Sequence, residues 1–331
     1  MTRILITGAT GFLGSHLCQR LASEGHQVRA FVRPNSNTSH ISGANIEYAV
    51  GDMNDVESLC QAVRNQEVVI HTAAHLTNWG QTRTLQTKIN VEGTQNLIAA
   101  CKQHSVQRLI HVSSVAAIGI PPNGNIPADE TFQFNLQSSG LNYHLSKWRS
   151  ELAVLNQQDL LLEVVVVNPG TIFGSFGSKF RGGEMIEKVC QSSIVPYFLG
   201  GINIVHVEDV VDGICRAITK GTSRERYILS GENVTFRQIV EITATHLGVK
   251  RIFVPIPAVV TGLAAAIQEP LSKITGKRPR FTYEVHYCAH RFHFYNSQKA
   301  KDGLGYSPRN FQEILEDYMD FRQLSIAKAK T

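Results

Sequence analysis

The sequence predicts an α/β protein: a doubly wound parallel sheet with a smaller, discontinuous α/β unit built from the later part of the chain. Three observations lead there. Short β-branched runs alternate with amphipathic helical stretches through the first half. A glycine-rich turn joins the first strand to the first helix, and after Gly174 the alternation breaks into a Gly/Ser-rich segment, GSFGSKFRGGE.

Taken in order, strands are expected at Ile4–Thr7, Gln27–Val32, Ile46–Val50, Val68–Thr72, Leu109–Ser113 and Val164–Asn168, most of them bounded by Gly, Asp, Asn or Ser. Between the first two, Leu13 to Glu24 carries Leu13, Leu17 and Leu21 on one face and meets a helix stop at Gly25. Val91 to Gln103 repeats that pattern through Val91, Leu97, Ile98 and Cys101. Strand, helix, strand at this rhythm implies right-handed crossovers, hence parallel neighbours with helices on both faces. The Gly/Ser-rich segment suits an active-site loop or a connection to a second domain. After it come a helix-like run, the strand-like INIVHV and a further strand, Arg226–Leu229, expected to return to the main sheet. This divides the chain into a first domain, residues 1–174 with 202–231 returning to it, and a second domain of residues 175–201 and 232–331.

Composition excludes several classes. With 331 residues, 43% of them apolar, the chain can bury a sizeable core and enclose a cleft. Its 32 Lys and Arg against 27 Asp and Glu give +5, with no dense basic block, so nucleic acid is not an expected partner; a mild positive balance suits an anionic small ligand. The six cysteines (Cys18, Cys60, Cys101, Cys190, Cys215, Cys288) form no CxxC, as expected of reduced thiols in a cytoplasmic protein. The start, MTRILITGAT, lacks the apolar core of an export signal. The most apolar stretch, Ile252 to Ile267, falls short of the ~20 residues that span a bilayer, so no integral membrane segment is expected. It reads as a buried or half-buried helix, with peripheral membrane contact as the sharper alternative.

ILITGATGFLGSHL sets Gly8, Gly11 and Gly14 directly after the first strand and at the start of the first helix. Glycines there allow a tight turn and close approach of a pyrophosphate, which the helix N-terminus favours. The spacing is GxxGxxG, not the commoner GxGxxG, and a plain glycine turn packing helix on strand would look the same. Phe12 and Leu13 belong to this turn. At the end of the second strand RAFVRPNSN offers Arg33 where NAD-binding folds place an acid, and no Asp or Glu follows before Glu47. A cation suits a 2′-phosphate, so NADP is expected over NAD, although Arg33 would also serve as a solvated surface residue. Asp52 in VGDM, beside Met53, is placed for the adenine amino group or for a simple turn. HTAAHL sets Thr72, Ala73 and Ala74 along the cofactor's path, and NVEGT brings Asn90, for which helix capping is the plainer reading.

YHLSK supplies Tyr143 and Lys147 at i and i+4, on one helix face. A phenol of pKa ~10 relays protons poorly at neutral pH, and a neighbouring ammonium lowers that value. The lysine can at the same time bond the nicotinamide ribose. HVSSVAAIG after the fifth strand sets Ser113 and Ser114 at the carboxyl end of the sheet, where such sites form. By itself YxxxK is common on exposed helices; together with the glycine turn and the serine pair it points to chemistry.

TGATGFLG, GDM, HTAAH, NVEGT, SSVAAIG, YHLSK, NPGTIFG and VHVEDVVDG, in that order over nearly the whole chain, resemble the extended short-chain dehydrogenase/reductases. The resemblance implies Ser114 holding the substrate oxygen, Tyr143 as acid/base, Lys147 as its activator, Ser113 beside the cofactor, and Pro169, Gly170 and Thr171 lining the nicotinamide pocket. Within the superfamily the sequence is most similar to the dihydroflavonol reductase and aldehyde reductase branch. Through PADET, INIVHVEDVVDG, ERYILSGEN and KAKDGLGYSP it resembles the group named hopanoid-associated sugar epimerases. It departs from nucleotide-sugar enzymes at GGINI, which lacks their diphosphate-gripping arginine, at Val115, where dehydratases continue into an acidic pair, and at Arg33.

The expected activity is NADP-dependent reduction of a relatively apolar ketone or aldehyde, or oxidation of the matching alcohol; the expected partners are that small molecule and, in a homodimer, a second copy of the chain. An NAD-dependent nucleotide-sugar epimerase or dehydratase is the alternative, with Arg181 as its sole nominee for diphosphate binding. A non-catalytic or redox-sensing member would normally have lost Tyr143 or Lys147. HYCAHRFHF gathers His286, Cys288, His290 and His293; a strand would put the first three on one face without closing a metal site, so no metal is expected. His71, His111 and His206 read as satisfied core residues. His75 and His144 lie close enough to the expected cleft to shape substrate choice, together with the segments Pro121–Gly140 and Ser175–Gly201.

Overall fold

The computed structural model describes all residues except 42, 44, 77–81, 175–182 and 323–331. The chain opens with β1 (Arg3–Thr7), α1 (Phe12–Ser23), β2 (Gln27–Val32), β3 (Ile46–Val50), α2 (Val56–Val63) and β4 (Val68–His71). A short α3 (Thr82–Gln86) passes through a π-helical turn (Thr87–Glu92) into α4 (Gly93–Gln103), followed by β5 (Arg108–Val112), α5 (Asn142–Leu155) and β6 (Glu163–Pro169). Then come β7 (Thr171–Phe173), α6 (Gly183–Gln191), β8 (Ile194–Phe198), β9 (Gly201–His206), α7 (Val207–Lys220), β10 (Arg226–Leu229) and β11 (Glu232–Thr235). The chain continues through α8 (Phe236–His246), β12 (Ile252–Ile256), α9 (Ala258–Thr275), α10 (Tyr283–Ala289), β13 (Phe292–His293), α11 (Gln298–Leu304) and α12 (Phe311–Arg322).

Seven strands form one parallel sheet in the order β10-β6-β5-β4-β1-β2-β3. The chain runs outward from β1 to β3, then returns to lay β4 on the other side of β1. The carboxyl edge between β1 and β4 is therefore the switch point at which ligands bind in open α/β sheets. Central strands are buried on both faces, as all-parallel sheets require. Ile4 and Ile6 pack with Leu17, Leu21, Val210 and Ile214 of α1 and α7. Leu5, between them, faces the opposite side, where Val69, Leu109 and Val164 meet Leu59 and Leu97 of α2 and α4. A third core, with Phe173, Ile186, Val195, Ile204, Ile239 and Leu315, sits in the smaller unit of α6, α8, α12, β8 and β9.

The doubly wound parallel sheet matches the sequence expectation. Four local differences have physical causes. INIVHV is β9, but it pairs with β7, β11 and β13 in a smaller sheet, so the return to the main sheet begins with α7 instead of residue 202. The helix expected from Val91 starts one turn earlier as a π turn that contains Asn90. HYCAHRFHF is not a strand: Thr282 caps α10 by accepting from Val285 N–H, and His286 and His290 then lie one helical turn apart. Only Phe292 and His293 are extended.

Ile252 to Ile267 is not a buried helix either. Pro257, the N-cap of α9, separates it into β12 and the first half of α9, and α9 turns its large apolar residues outward: Val259, Leu263 and Ile267 are 71%, 61% and 66% exposed. Its inward face is narrow, with Gly262 set against the His286 ring.

Candidate active site

The three glycines do different work. Gly8 has φ +69°, open chiefly to glycine, and a Cβ there would sit 2.7 Å from both Ala73 N and Thr72 Oγ1. A Cβ on Gly14 would lie 2.2 Å from Gly8 O, so that residue lets α1 press onto the turn. Gly11 differs, because a Cβ there would meet only Gly8 O at 3.1 Å. It is also the N-cap of α1, with no side-chain cap and no acid in the first turn, so the N–H groups of Phe12 and Leu13 have no competing side chain. An uncapped helix end beside an open glycine fits the pyrophosphate of a dinucleotide.

The neighbouring loops complete this edge. Thr72 donates its hydroxyl to Thr7 O at 2.7 Å, which locks the end of β4 to β1 and holds half-buried Ala73 and Ala74 beside the turn. Arg33 is the first residue after β2, exposed, and among the described residues its guanidinium has no hydrogen-bond or ion-pair partner. Asp52 follows β3 and its Oδ1 accepts from Asn54 N and Nδ2 at 2.9 and 2.8 Å, a turn role for that oxygen. Met53 is buried in the core beneath α2 and α4.

Asn90 is no helix cap. From the π turn its Oδ1 accepts from His75 N at 2.7 Å, while its Nδ2 donates to Ser146 Oγ at 2.9 Å. It thus ties the loop after β4 to α5. π turns inside α-helices recur at functional sites.

Tyr143 and Ser114 lie side by side, close enough that the serine hydroxyl favours the ionised phenol. Tyr143 stands in the first turn of α5, and Ser114, just past β5, caps a short helical turn by accepting from Ala116 N at 3.2 Å. Lys147, one turn along α5, is buried and donates from Nζ to Val112 O at 2.9 Å. Ser113 is buried with its Oγ unpartnered. Pro169 ends β6 beside this group, Gly170 lies so close to Asn203 that a Cβ would be 2.3 Å from its Oδ1, and Thr171 opens β7.

Burial pushes the Tyr143 phenol up to about 12, against the pull of the Ser114 hydroxyl and helped by the nearby Glu284 carboxylate. The expected lowering by Lys147 is therefore not what the protein alone displays. The lysine's own charge is disfavoured by burial, which brings Lys147 down to about 8, with Glu151 opposing. Glu151 is buried and takes Arg226 on one oxygen at 3.1 Å and Asn168 Nδ2 on the other at 2.7 Å. Asn168 also donates to Ser114 O at 3.0 Å, so a chain from Arg226 through Glu151 and Asn168 fixes the serine loop.

Sequence reasoning missed this chain, although Tyr143, Lys147 and Glu151 repeat at four-residue intervals. It also missed the wall supplied by α10. Glu284 Oε1 lies 3.6 Å from His144 Nδ1, and the His144 ring is edge-on to Tyr143 at 6.0 Å. His293, held down to about 4 chiefly by burial, stands 6.5 Å from His144. His144 thus lies at the site as expected, whereas His286 and His290 both bond Thr261 Oγ1 of α9 at 2.8 Å. His71 is a satisfied core residue between Thr7 and Thr94, and His206 caps α7. Among the described residues no group of three His, Cys, Asp or Glu gathers as a metal site. Arg181 lies outside the described residues. A cavity of about 450 Å³ lined by Leu155, Arg224 and Lys299 opens at the opposite end of α5, where Arg226, the outer end of the chain through Glu151 and Asn168, also lines it.

Residues 4–230 match the NAD dependent epimerase/dehydratase family. The chain belongs to this family. A Synechocystis protein assigned as a dihydroflavonol 4-reductase is 30% identical over 96% of this chain and 94% of its own length. A Methylococcus capsulatus protein named sterol demethylase protein B is 32% identical over 90% and 89%. The crystal structure of gox2253 superposes with a TM-score of 0.81 at 35% identity, covering 98% of this chain and 99% of that one. As an epimerase/dehydratase-family member on a Rossmann-like fold, the protein is an NAD(P)-dependent oxidoreductase-type enzyme. The resemblance to extended short-chain dehydrogenase/reductases and their dihydroflavonol reductase branch agrees with these relatives.

Proposed function

We propose that this family member is an NADP-dependent oxidoreductase that reduces a ketone or aldehyde of a relatively apolar small molecule, or oxidises the matching alcohol. The observation that carries the reading is the grouping of Ser114 with Tyr143, and of Lys147 buried one helical turn along, at the carboxyl edge beside the glycine turn. When bound, the dinucleotide supplies or accepts the hydride. Ser114 Oγ polarises the substrate oxygen, and Tyr143 donates the proton in the reductive direction, for which a phenol pushed up to about 12 is protonated and ready. Lys147 supplies positive charge beneath it as the phenol ionises.

Residues 1–174 with the returning α7 and β10 would hold the cofactor, and residues 175–201 and 232–331 would select the substrate. The glycine turn, Thr72, Ala73 and Ala74 would pass the dinucleotide across the β1–β4 edge, with Asp52 near the adenine and Pro169, Gly170 and Thr171 beside the nicotinamide. NADP is favoured over NAD by Arg33, a cation without a partner among the described residues, where NAD-binding folds carry an acid. The names of the relatives support both parts: one is assigned as a reductase and the other is named for a sterol, a largely apolar molecule.

Fluorescence titration with NADPH and NADH tests the cofactor choice. We expect NADPH to bind at least ~10-fold more tightly, a preference that Arg33→Ala removes. Equal affinities in the native protein would reject it. Tightly copurifying NAD, with epimerisation of a nucleotide sugar, would replace the whole reading by the epimerase alternative.

A further inference from the structure

Helix α9 is packed inside out. Its protein-facing side consists of Thr261, Gly262, Ala265 and Ser272, while Val259, Val260, Leu263, Ile267, Leu271 and Ile274 point away and are all more than half exposed. Positions 259, 263, 267 and 271 recur every four residues and 260, 267 and 274 every seven, so the exposed residues form one continuous stripe. A stripe of this length on a surface helix, without a partner, marks an interaction site.

The charges beside it point to one occupant. Lys273, near the end of α9, and Lys277, Arg278 and Arg280, in the turn that follows, are exposed, and none pairs with a carboxylate among the described residues. Gln268 Oε1 accepts from Arg280 N and Phe281 N at 3.0 and 3.1 Å, which folds the basic turn back along the flank of α9. Within α9 itself the only acid is Glu269. An apolar stripe rimmed by unpaired cations is complementary to an interface of acyl chains beneath anionic headgroups, and not to a neutral protein surface.

We propose that α9 and the basic turn after it dock the protein on anionic lipid bilayers, with the stripe laid in the headgroup–acyl boundary. No helix among the described residues is long and apolar enough to cross a membrane, so the attachment is peripheral. Thr261 on the inner side of α9 bonds two histidines at α10, and α10 carries Glu284 at the Tyr143 cleft, so the docked surface stands one helix from the candidate active site. The proposal does not depend on the reductase reading, because docking is measured with neither cofactor nor substrate.

The test is cosedimentation of the full chain with vesicles of phosphatidylcholine alone or with about one-third phosphatidylglycerol. The native protein should sediment with the anionic vesicles and at least ~10-fold less with the neutral ones, and lose binding as salt rises from ~0.1 to ~0.5 M. Ile267→Asp with Leu271→Asp should abolish binding while the thermal unfolding midpoint and circular dichroism stay native. Lys277→Glu with Arg278→Glu should remove the preference for anionic lipid. Failure of the native protein to sediment with anionic vesicles overturns the proposal. So does a homodimer that the Ile267/Leu271 double variant converts to monomers, which would make a second copy the occupant.

Discussion

Lys147 holds its charge in a site that disfavours it, and this has opposite consequences for activity and stability. Its value falls from 10.5 to about 8, so above pH 8 the folded protein loses a proton that the unfolded chain keeps until about 10.5. The unfolded state then binds more protons, and stability rises with pH through this window. Comparing unfolding free energies of the native protein and Lys147→Met should show the native protein gaining on the order of 3 kcal/mol relative to the variant between about pH 8 and 10. If Lys147 must be charged to assist Tyr143, kcat/KM for carbonyl reduction should decline over the same range, since that ratio reports groups of the free enzyme. A flat profile to pH 10 would remove Lys147 from the mechanism. Glu151 makes a second case. Glu151→Ala removes the carboxylate shared by Arg226 and Asn168, which keep the carbonyl oxygens of Glu130, Phe132 and Ser114 as acceptors, and should cost roughly 1–3 kcal/mol in denaturant unfolding. Tyr143 and Lys147 were legible because helical spacing alone joins them. Glu151–Arg226 and His144–Glu284 were not, because those partners are 75 and 140 positions apart and meet only through tertiary packing.

Among the elements, the turn between β1 and α1 shows why glycine spacing is informative when read with its strand. Gly8 and Gly14 are required by contacts inside the protein, and Gly11 is the one left open. Gly8→Ala must strain a φ of +69° and push Ala73 and Thr72 aside, so a loss of about 1–3 kcal/mol in stability and at least ~10-fold in NADPH affinity is expected from thermal unfolding and titration. Native stability in that variant would mean that β4 is not pressed against the turn. Strand positions were legible to within a residue or two, since β-branched runs between Gly and Asp boundaries leave little choice. The region from residue 252 to 293 was less so. A strong apolar face on α9 reads as a core face by default, and only the small residues on its other side, Gly262 and Ala265, reveal which side touches the protein. In HYCAHRFHF the histidines fit a period of two and a helical turn equally well; the Thr282 cap decides for helix.

For the molecule as a whole, parallel topology places the ends of β1, β4, β5 and β6 along one edge, and residues scattered from Gly8 to Thr171 converge there. That convergence follows from the order of motifs, which is why fold and site were largely legible together. The wall that α10 adds to the candidate site was not, since Glu284 and His144 meet only through tertiary packing. The chemistry these residues support is hydride transfer to a carbonyl with Tyr143 as proton donor. It is tested most directly by mass-spectrometric detection of deuterium passed from C4-deuterated NADPH to aliphatic and steroid ketones, in the native protein and in Tyr143→Phe. The native protein should deuterate the carbinol carbon of at least one ketone. Tyr143→Phe should bind NADPH normally and transfer roughly 10²–10⁴-fold more slowly. Transfer at the native rate by Tyr143→Phe would rule out Tyr143 as the proton donor.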